Sequence, residues 1–517
     1  MRFALFGTMV VTVAAAIVVC PTRSIRAEGP GSAVPPELLT IRAQPAIFRV
    51  LCFARFDVEY PKSLSPATTL LEQEYAQEQR KGAIPANSGR ASPWEKSQAD
   101  FFWERIAADG PKYLKVSEET ETATLDNVFC HTGTAFAIDS TGLLLTNAHV
   151  VADPPPNVAI TVLTNPQYCA AVFGDLLDRT AAQLSRSFGG APPQALCDRI
   201  LVGMMATLAQ SNRVKVKGKF AGAAIALYFA TDYDVEDAYY RIPQRQGLLP
   251  PVPAQPIALP VKVVAVGERY PGKDVAILRA LRKRDFSGQL APPALQLTNT
   301  PDAELAPPPA FISLPLGDSD EVLDGAPIQA LGFPSQAFTE GAMRPEAAFR
   351  VSCQNGQIGQ TKVPMQGGWD AFAMTADINH GDSGGPVLDK NGQVIALTVA
   401  VTEIGSHTVA VPINLAKDLM HKAGIKPQPG AITQQWEDGL THYAQGSYLE
   451  AKGLFETVAH QRDPLFSNAI THLRVERSRS YPKNLKELFG TDTLNLDPYV
   501  KAMIERCDRK LRHDVRP

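Results

Sequence analysis

Several things that would fix the class of this 517-residue chain at once are scarce or absent in it. Neither sign of charge dominates: 50 basic and 53 acidic side chains leave a net −3, so no global basic field argues for nucleic acid. Charged residues make up 20% and hydrophobic residues 45%, which excludes a mainly disordered or fibrous chain. Outside the N-terminus no apolar run is long enough to span a bilayer. The nine histidines show no ligand spacing with cysteine or acidic residues, and nothing resembles a phosphate loop. No metal and no cofactor is therefore expected. Turn-forming residues are plentiful instead, with 42 prolines and 37 glycines. At roughly 100–200 residues per domain, the length suggests about three domains.

The first residues read as a leader. Arg2 supplies a positive start, Ala4 to Val19 an uncharged apolar core, and Pro21 to Arg26 a polar stretch. Cleavage after Ala27 makes 1–27 a signal peptide and predicts a periplasmic or secreted product with no stable membrane span. Six cysteines then remain: Cys52, Cys130, Cys169, Cys197, Cys353 and Cys507. An even number in an exported chain permits disulfides, Cys169 with Cys197 being the most local pairing, and buried free thiols are the alternative.

Residues 28–114 read as an N-terminal extension with one helix. Ser92-Pro93-Trp94-Glu95 is a capping box, Trp94, Phe101, Phe102 and Ile106 share a face, and Asp109-Gly110-Pro111 is a stop. From about 125 the pattern turns to short strands, at Phe136 to Ile138, Leu143 to Leu145 and Ala159 to Leu163. The stretch 165–258 reads as an insertion: two helical runs, a basic strand from Arg213 to Lys217, and a proline-rich exit. Strands resume at Val261 to Val266 and Val275 to Leu278. Asn391-Gly392 marks a hairpin, and Ile413 to Ala423 a closing helix. The span 115–425 is thus expected to be one mainly β unit, a sandwich or barrel. In 426–517, Trp436, Gly439, Tyr443, Gly446, Tyr448, Ala451, Phe455 and Pro464 lie at helix–turn–helix spacing. The stretch 435–464 resembles one tetratricopeptide (TPR) repeat, with 466–478 and 496–511 as helices that complete it.

Three short strings carry chemistry. In Gly381-Asp382-Ser383-Gly384-Gly385-Pro386, a serine sits among glycines that allow a tight turn and leave N–H groups for a developing oxyanion. Gly381 and Ser383 are the expected donors. A serine hydroxyl needs a base, and His149 in Thr146-Asn147-Ala148-His149-Val150-Val151 follows a strand. Asp274, in Lys273-Asp274-Val275-Ala276, precedes another strand and can orient an imidazole. Alone, each has a plainer reading: a glycine turn, a structural histidine, a strand-capping aspartate.

Together they fall in the order His, Asp, Ser, and there the chain resembles the trypsin-like serine proteases of the bacterial HtrA/Deg type. The matching segments are Gly133 to Val151, Leu259 to Leu278, Leu314 to Pro334 and Thr375 to Asn414. The resemblance implies a chymotrypsin-like double six-stranded β-barrel, with a partly helical insertion and an α-helical TPR-like C-terminal domain in place of a PDZ domain. It implies a serine endopeptidase with His149 as base, Asp274 as its partner and Ser383 as nucleophile, and protein or peptide substrates. The TPR-like region would add a protein partner or a structural cap. The competing class is a non-catalytic, chaperone-like binder on the same scaffold. Two departures stand out. Asp382 takes the place of the HtrA type's usual asparagine, without an Ile-Val-Gly-Gly activation sequence, and His380 replaces a small residue. Asp377, six residues before Ser383, stands where trypsin-like enzymes place the base of the S1 pocket, and a buried carboxylate there would select Lys or Arg.

Overall fold

The computed structural model describes residues 36–81, 97–154, 158, 163–229, 256–283, 305–306, 311–334, 350–404, 407–477 and 497–514. Two closed barrels of six strands each organise the chain. The first holds β1 (Ile47–Pro61), β2 (Thr120–Ala137), β3 (Leu143–Thr146), β4 (Lys215–Phe229), β5 (Pro256–Val266) and β6 (Ala276–Ala280). The second holds β7 (Pro327–Gly332), β8 (Ser352–Pro364), β9 (Asp370–Met374), β10 (Pro386–Leu388), β11 (Val394–Ile404) and β12 (His407–Pro412). Going round each barrel, the strands meet in the same order, β1-β2-β3-β6-β5-β4 and β7-β8-β9-β12-β11-β10, so the two halves repeat one topology.

Alternation decides which side chains fill the barrels. Phe48, Val50 and Cys52 of β1 join Ala135, Leu144 and Leu278 in the first interior. Ile328 and Ala330 join Phe372, Met374 and Val387 in the second. The opposite face is apolar too. Phe136, Leu143, Leu145 and Ile277 pack with Leu331, Leu388, Leu397 and Val411 in a core that runs on into the C-terminal helices. Strands apolar on both faces lose the period-two signature.

This explains the main differences from the sequence expectations. The extension 28–114 supplies β1, a strand of the first barrel, and its described residues hold three helices of eight residues or more: α1 (Pro36–Ala43), α2 (Thr68–Arg80) and α3 (Gln98–Ala108). Strand β1 is buried over its first eight residues, so it shows no alternation to read. Ser92 to Glu95 lie outside the described residues; α3 is instead capped by Ser97, which exchanges hydrogen bonds with Asp100. The insertion ends sooner than expected. Among its described residues the helices α4 (Pro166–Phe188) and α5 (Cys197–Gln210) lie outside the barrel, while residues 215–229 are strand β4. Residues 159–162 lie outside the described residues, and Leu163 is helical rather than extended. Both supposedly separate segments share one core, in which Leu71, Phe102, Trp103 and Ile106 meet Val172, Leu176, Met204 and Leu208 beneath the far end of β1.

The six cysteines carry free thiols. Cys169 Sγ lies 4.0 Å from Met205 Sδ, and Cys197 Sγ faces the Pro193 carbonyl at 3.7 Å, so the local pairing is not made. The two thiols point at different neighbours. Among the described residues, no helix is long and apolar enough to cross a membrane.

Helices α6 (Ile413–Lys422), α7 (Ala431–Ala444), α8 (Tyr448–Arg477) and α9 (Pro498–Asp514) close the chain. A Cβ on Gly439 would sit 2.6 Å from the Phe455 ring, so only glycine lets α7 and α8 approach this closely. Pro464, expected to end a repeat, lies inside α8. The helical region is therefore present, but its second helix runs well past the length of the single repeat it resembled. It is also no separate body: Trp436, Phe455 and Val500 belong to the core shared with the second barrel.

Candidate active site

Register brings His149 and Asp274 together. Strands β3 and β6 pair with Thr146 opposite Ala276, so the residues just after β3 lie beside those just before β6. His149 rides on a short 3-10 turn, Ala148–Val151. Asp274 is fully buried, and its carboxylate accepts twice from one residue, from the His149 backbone N–H at 2.9 Å and from Nδ1 at 2.6 Å. A carboxylate oxygen facing Nδ1 requires the proton there, which leaves Nε2 with the lone pair in the neutral imidazole. Asn147 Nδ2 donates to the Asp274 carbonyl at 2.8 Å, holding the same strand ends. Behind the histidine, the Val150 carbonyl accepts from Cys52 Sγ at 2.9 Å and lies 2.8 Å from His131 Nε2. Burial holds His131 below the usual imidazole range and pushes the Cys52 thiol up.

The Ser383 turn needs its glycines. Gly381 has φ 97° and Gly384 φ 86°, both in the left-handed region. A Cβ on Gly384 would lie 2.3 Å from both the Thr134 carbonyl and Thr146 Oγ1, and 2.9 Å from the Asn147 nitrogen. The turn of the second barrel is thus seated directly on the strand end that carries His149. Gly133 shows the same convergence: a Cβ there would meet the Val150 side chain at 2.6 Å and the Ser383 carbonyl at 3.3 Å. Ser383 is 5% exposed and His149 is partly exposed, so both stand at the junction of the two barrels.

Asp377 differs from expectation. It is exposed, with no buried carboxylate at that position, so the argument for Lys or Arg selectivity loses its premise. His380 is likewise exposed. Asp382 is the buried acid, 4% exposed. One oxygen accepts from the Asn379 backbone N–H at 3.0 Å, and the other has no hydrogen-bond partner among the described residues. Burial, reinforced by the charge of Asp377, pushes its carboxyl up to about 6, against the hold of the Asn379 N–H.

Sequence reasoning passed over the residues that hold these pieces. Thr134 Oγ1 donates to the Gly381 carbonyl at 2.8 Å and accepts from Phe333 N–H at 3.1 Å, and its own N–H donates to the Ser383 carbonyl at 2.8 Å. Trp369, from the turn between β8 and β9, donates Nε1–H to the Pro271 carbonyl at 2.8 Å and so pins the loop leading to Asp274. A buried threonine and a buried tryptophan carry no signature of such roles in sequence, because each acts across the barrel junction. Among the described residues, no group of three or more His, Cys, Asp or Glu side chains could hold a metal ion.

Residues 251–397 match the family model of the trypsin-like peptidase domain. The match takes in Asp274, Ser383 and the strands between them, and it leaves His149 outside. The chain is also similar to a solved structure titled "Crystal structure of Deg5", at 16% identity over 56% of this chain and 80% of that one. The TM-score is 0.26, too low for that likeness to bear on the fold. The matched span already includes β5 and β6 of the first barrel, and this chain's own geometry ties His149 and the earlier strands to it, since Asp274 bonds His149 and the Ser383 turn sits on Thr134 and Thr146.

Proposed function

We propose that this protein is an exported serine endopeptidase that works through His149, Asp274 and Ser383. The observation that carries the reading is the double grip of one buried carboxylate on His149, at the place where the Ser383 turn docks on the first barrel. In this reading Ser383 Oγ attacks a peptide carbonyl and His149 Nε2 takes the proton. Asp274 keeps the Nδ1 proton in place and stabilises the imidazolium without taking a proton itself. The N–H groups of Gly381 and Ser383 receive the oxyanion. The imidazolium then protonates the leaving amine. Water, deprotonated by His149, releases the acyl group from Ser383. Substrates are peptides or unfolded proteins, and a part in protein quality control or processing suits an export leader over 1–27. Such a leader places the enzyme in the periplasm or outside the cell. The C-terminal helices, sharing a core with the second barrel, suit a cap on the protease better than an independent partner-binding module.

A fluorophosphonate probe tests the reading. Covalent labelling of the folded chain that disappears in Ser383→Ala is the expected result. Failure to label folded protein under any condition overturns it and leaves a non-catalytic binder on a protease scaffold.

A further inference from the structure

The serine turn is held by its carbonyls. Thr398, fully buried on β11, donates Oγ1–H to the Asp382 carbonyl at 2.5 Å. Its backbone adds two further bonds to the same turn, N–H to the Gly385 carbonyl at 2.9 Å and C=O from the Gly384 N–H at 3.0 Å. From the other barrel, Thr134, also fully buried, holds the Gly381 carbonyl through Oγ1 and the Ser383 carbonyl through N–H, each at 2.8 Å. Three consecutive carbonyls, those of Gly381, Asp382 and Ser383, are therefore held by two threonines, the Asp382 carbonyl also accepting from the Gly385 N–H at 2.9 Å.

Peptide geometry turns this into a statement about one oxyanion donor, the Ser383 N–H, and about the neighbouring peptides of the same turn. In a trans peptide the C=O and the following N–H point in opposite directions. Among the described residues the only cis bond is Tyr270–Pro271, so the peptides of this turn are trans. Fixing the Asp382 carbonyl on Thr398, inside the second barrel, aims the Ser383 N–H the other way. Fixing the Gly381 carbonyl on Thr134 aims the Asp382 N–H at the Asn379 carbonyl, where it bonds at 3.0 Å and leaves Gly381 at φ 97°.

We infer that Thr398 and Thr134 are positioning residues for the oxyanion-binding turn, one contributed by each barrel. They touch no substrate; each acts through a backbone carbonyl. The inference rests on the endopeptidase reading above and deepens it. One consequence is specific to this architecture: the turn is fully set only when the first barrel is docked, because Thr134 belongs to β2.

Thr398→Val and Thr134→Val keep the shape and remove the hydroxyl, while Thr398→Ser and Thr134→Ser keep the hydroxyl. The measurement is the second-order rate of fluorophosphonate labelling of the full chain, with melting curves alongside. Each valine variant should label about 10- to 100-fold more slowly, less than the loss for deleting an oxyanion donor outright. Each serine variant should return to within about threefold of the parent chain. Undiminished labelling of the valine variants while the parent chain labels overturns the positioning alone. A loss that serine fails to restore also overturns it, since the side chain would then matter as packing. No labelling of the parent chain overturns the endopeptidase reading itself and this inference with it. If one valine variant melts below the assay temperature, the other threonine supplies the comparison.

Discussion

Asp382→Asn is the substitution whose effect the structure determines most directly. The carboxyl is almost fully buried, has one oxygen without a partner, and stands at about 6 against an ordinary 3.8. A folded value above the unfolded one means that the folded chain holds its proton longer. Well below pH 3.8 the group is protonated in both states and costs nothing. As pH rises from about 4 to 6 the unfolded chain releases its proton first, and stability falls. Above about pH 6 the full cost is in place. A rise of about two pH units corresponds to ~3 kcal/mol. Asparagine carries no charge and can accept the Asn379 N–H through its own oxygen, but its amide N–H groups then face the position that lacks a partner. That orphaned donor costs about 1–3 kcal/mol at every pH. The pH-dependent part is therefore the clean observable. The stability of Asp382→Asn relative to the parent chain should rise by about 2–2.5 kcal/mol between pH 4 and pH 7, part of the full cost being already in place at pH 4, and then stay level. Denaturant melts of both chains at pH 4, 5, 6, 7 and 8 measure it. A stability difference that is flat with pH, or that moves the other way, refutes the buried-acid argument.

Other expectations follow from the same contacts. Asp274→Asn replaces an acceptor of two bonds by a side chain that can present N–H to Nδ1, which favours the wrong imidazole tautomer; labelling of Ser383 should slow by on the order of 10⁴-fold, and a loss under tenfold would count against the proposed pairing. Arg462→Met strands Asp497, its partner at 2.6 Å in a nearly dry site at the start of α9, and should cost about 3–5 kcal/mol in a denaturant melt. Gly384→Ala puts a Cβ 2.3 Å from a backbone carbonyl at a left-handed φ, so soluble expression should fall sharply; a variant that melts like the parent would contradict the tight seating of the turn.

Much of the β organisation was readable because short strands were bounded by turns with unmistakable chemistry. Gly392, at φ 73° between β10 and β11, is one such position. The strings that hold His149, Asp274 and Ser383 stood out because their glycines and strand ends have few other uses. Strand β1 was not readable, since Ile47 to Ala54 are buried on both faces and offer no alternation. Nor did local pattern show that α2 and α3 share a core with α4 and α5, because that packing joins residues such as Phe102 and Leu208 about a hundred positions apart. The exposed Asp377 teaches a related lesson. An offset from the serine counts positions along the chain, and it cannot say on which side of a turn a carboxylate falls.

Strand β1 also imposes an order on the chain's own synthesis. Arg49 pairs with Thr134 only after about 85 more residues have been made (134 − 49), and with Ala226 only after about 177 more (226 − 49). At roughly 5–20 residues per second, pairing β1 with β4 waits on the order of 10–35 s after β1 leaves the ribosome, and closing the barrel waits longer still, because β5 and β6 follow β4. Through that interval an almost wholly apolar segment, Ile47 to Ala54, lacks at least one of its two neighbours. The equilibrium penalty of the long detour through α4 and α5 is small, because loop closure grows only logarithmically. The penalty in time is not small, because unpaired strand edges invite association with other chains. A chain built this way carries an unpaired apolar strand edge until β4 is made.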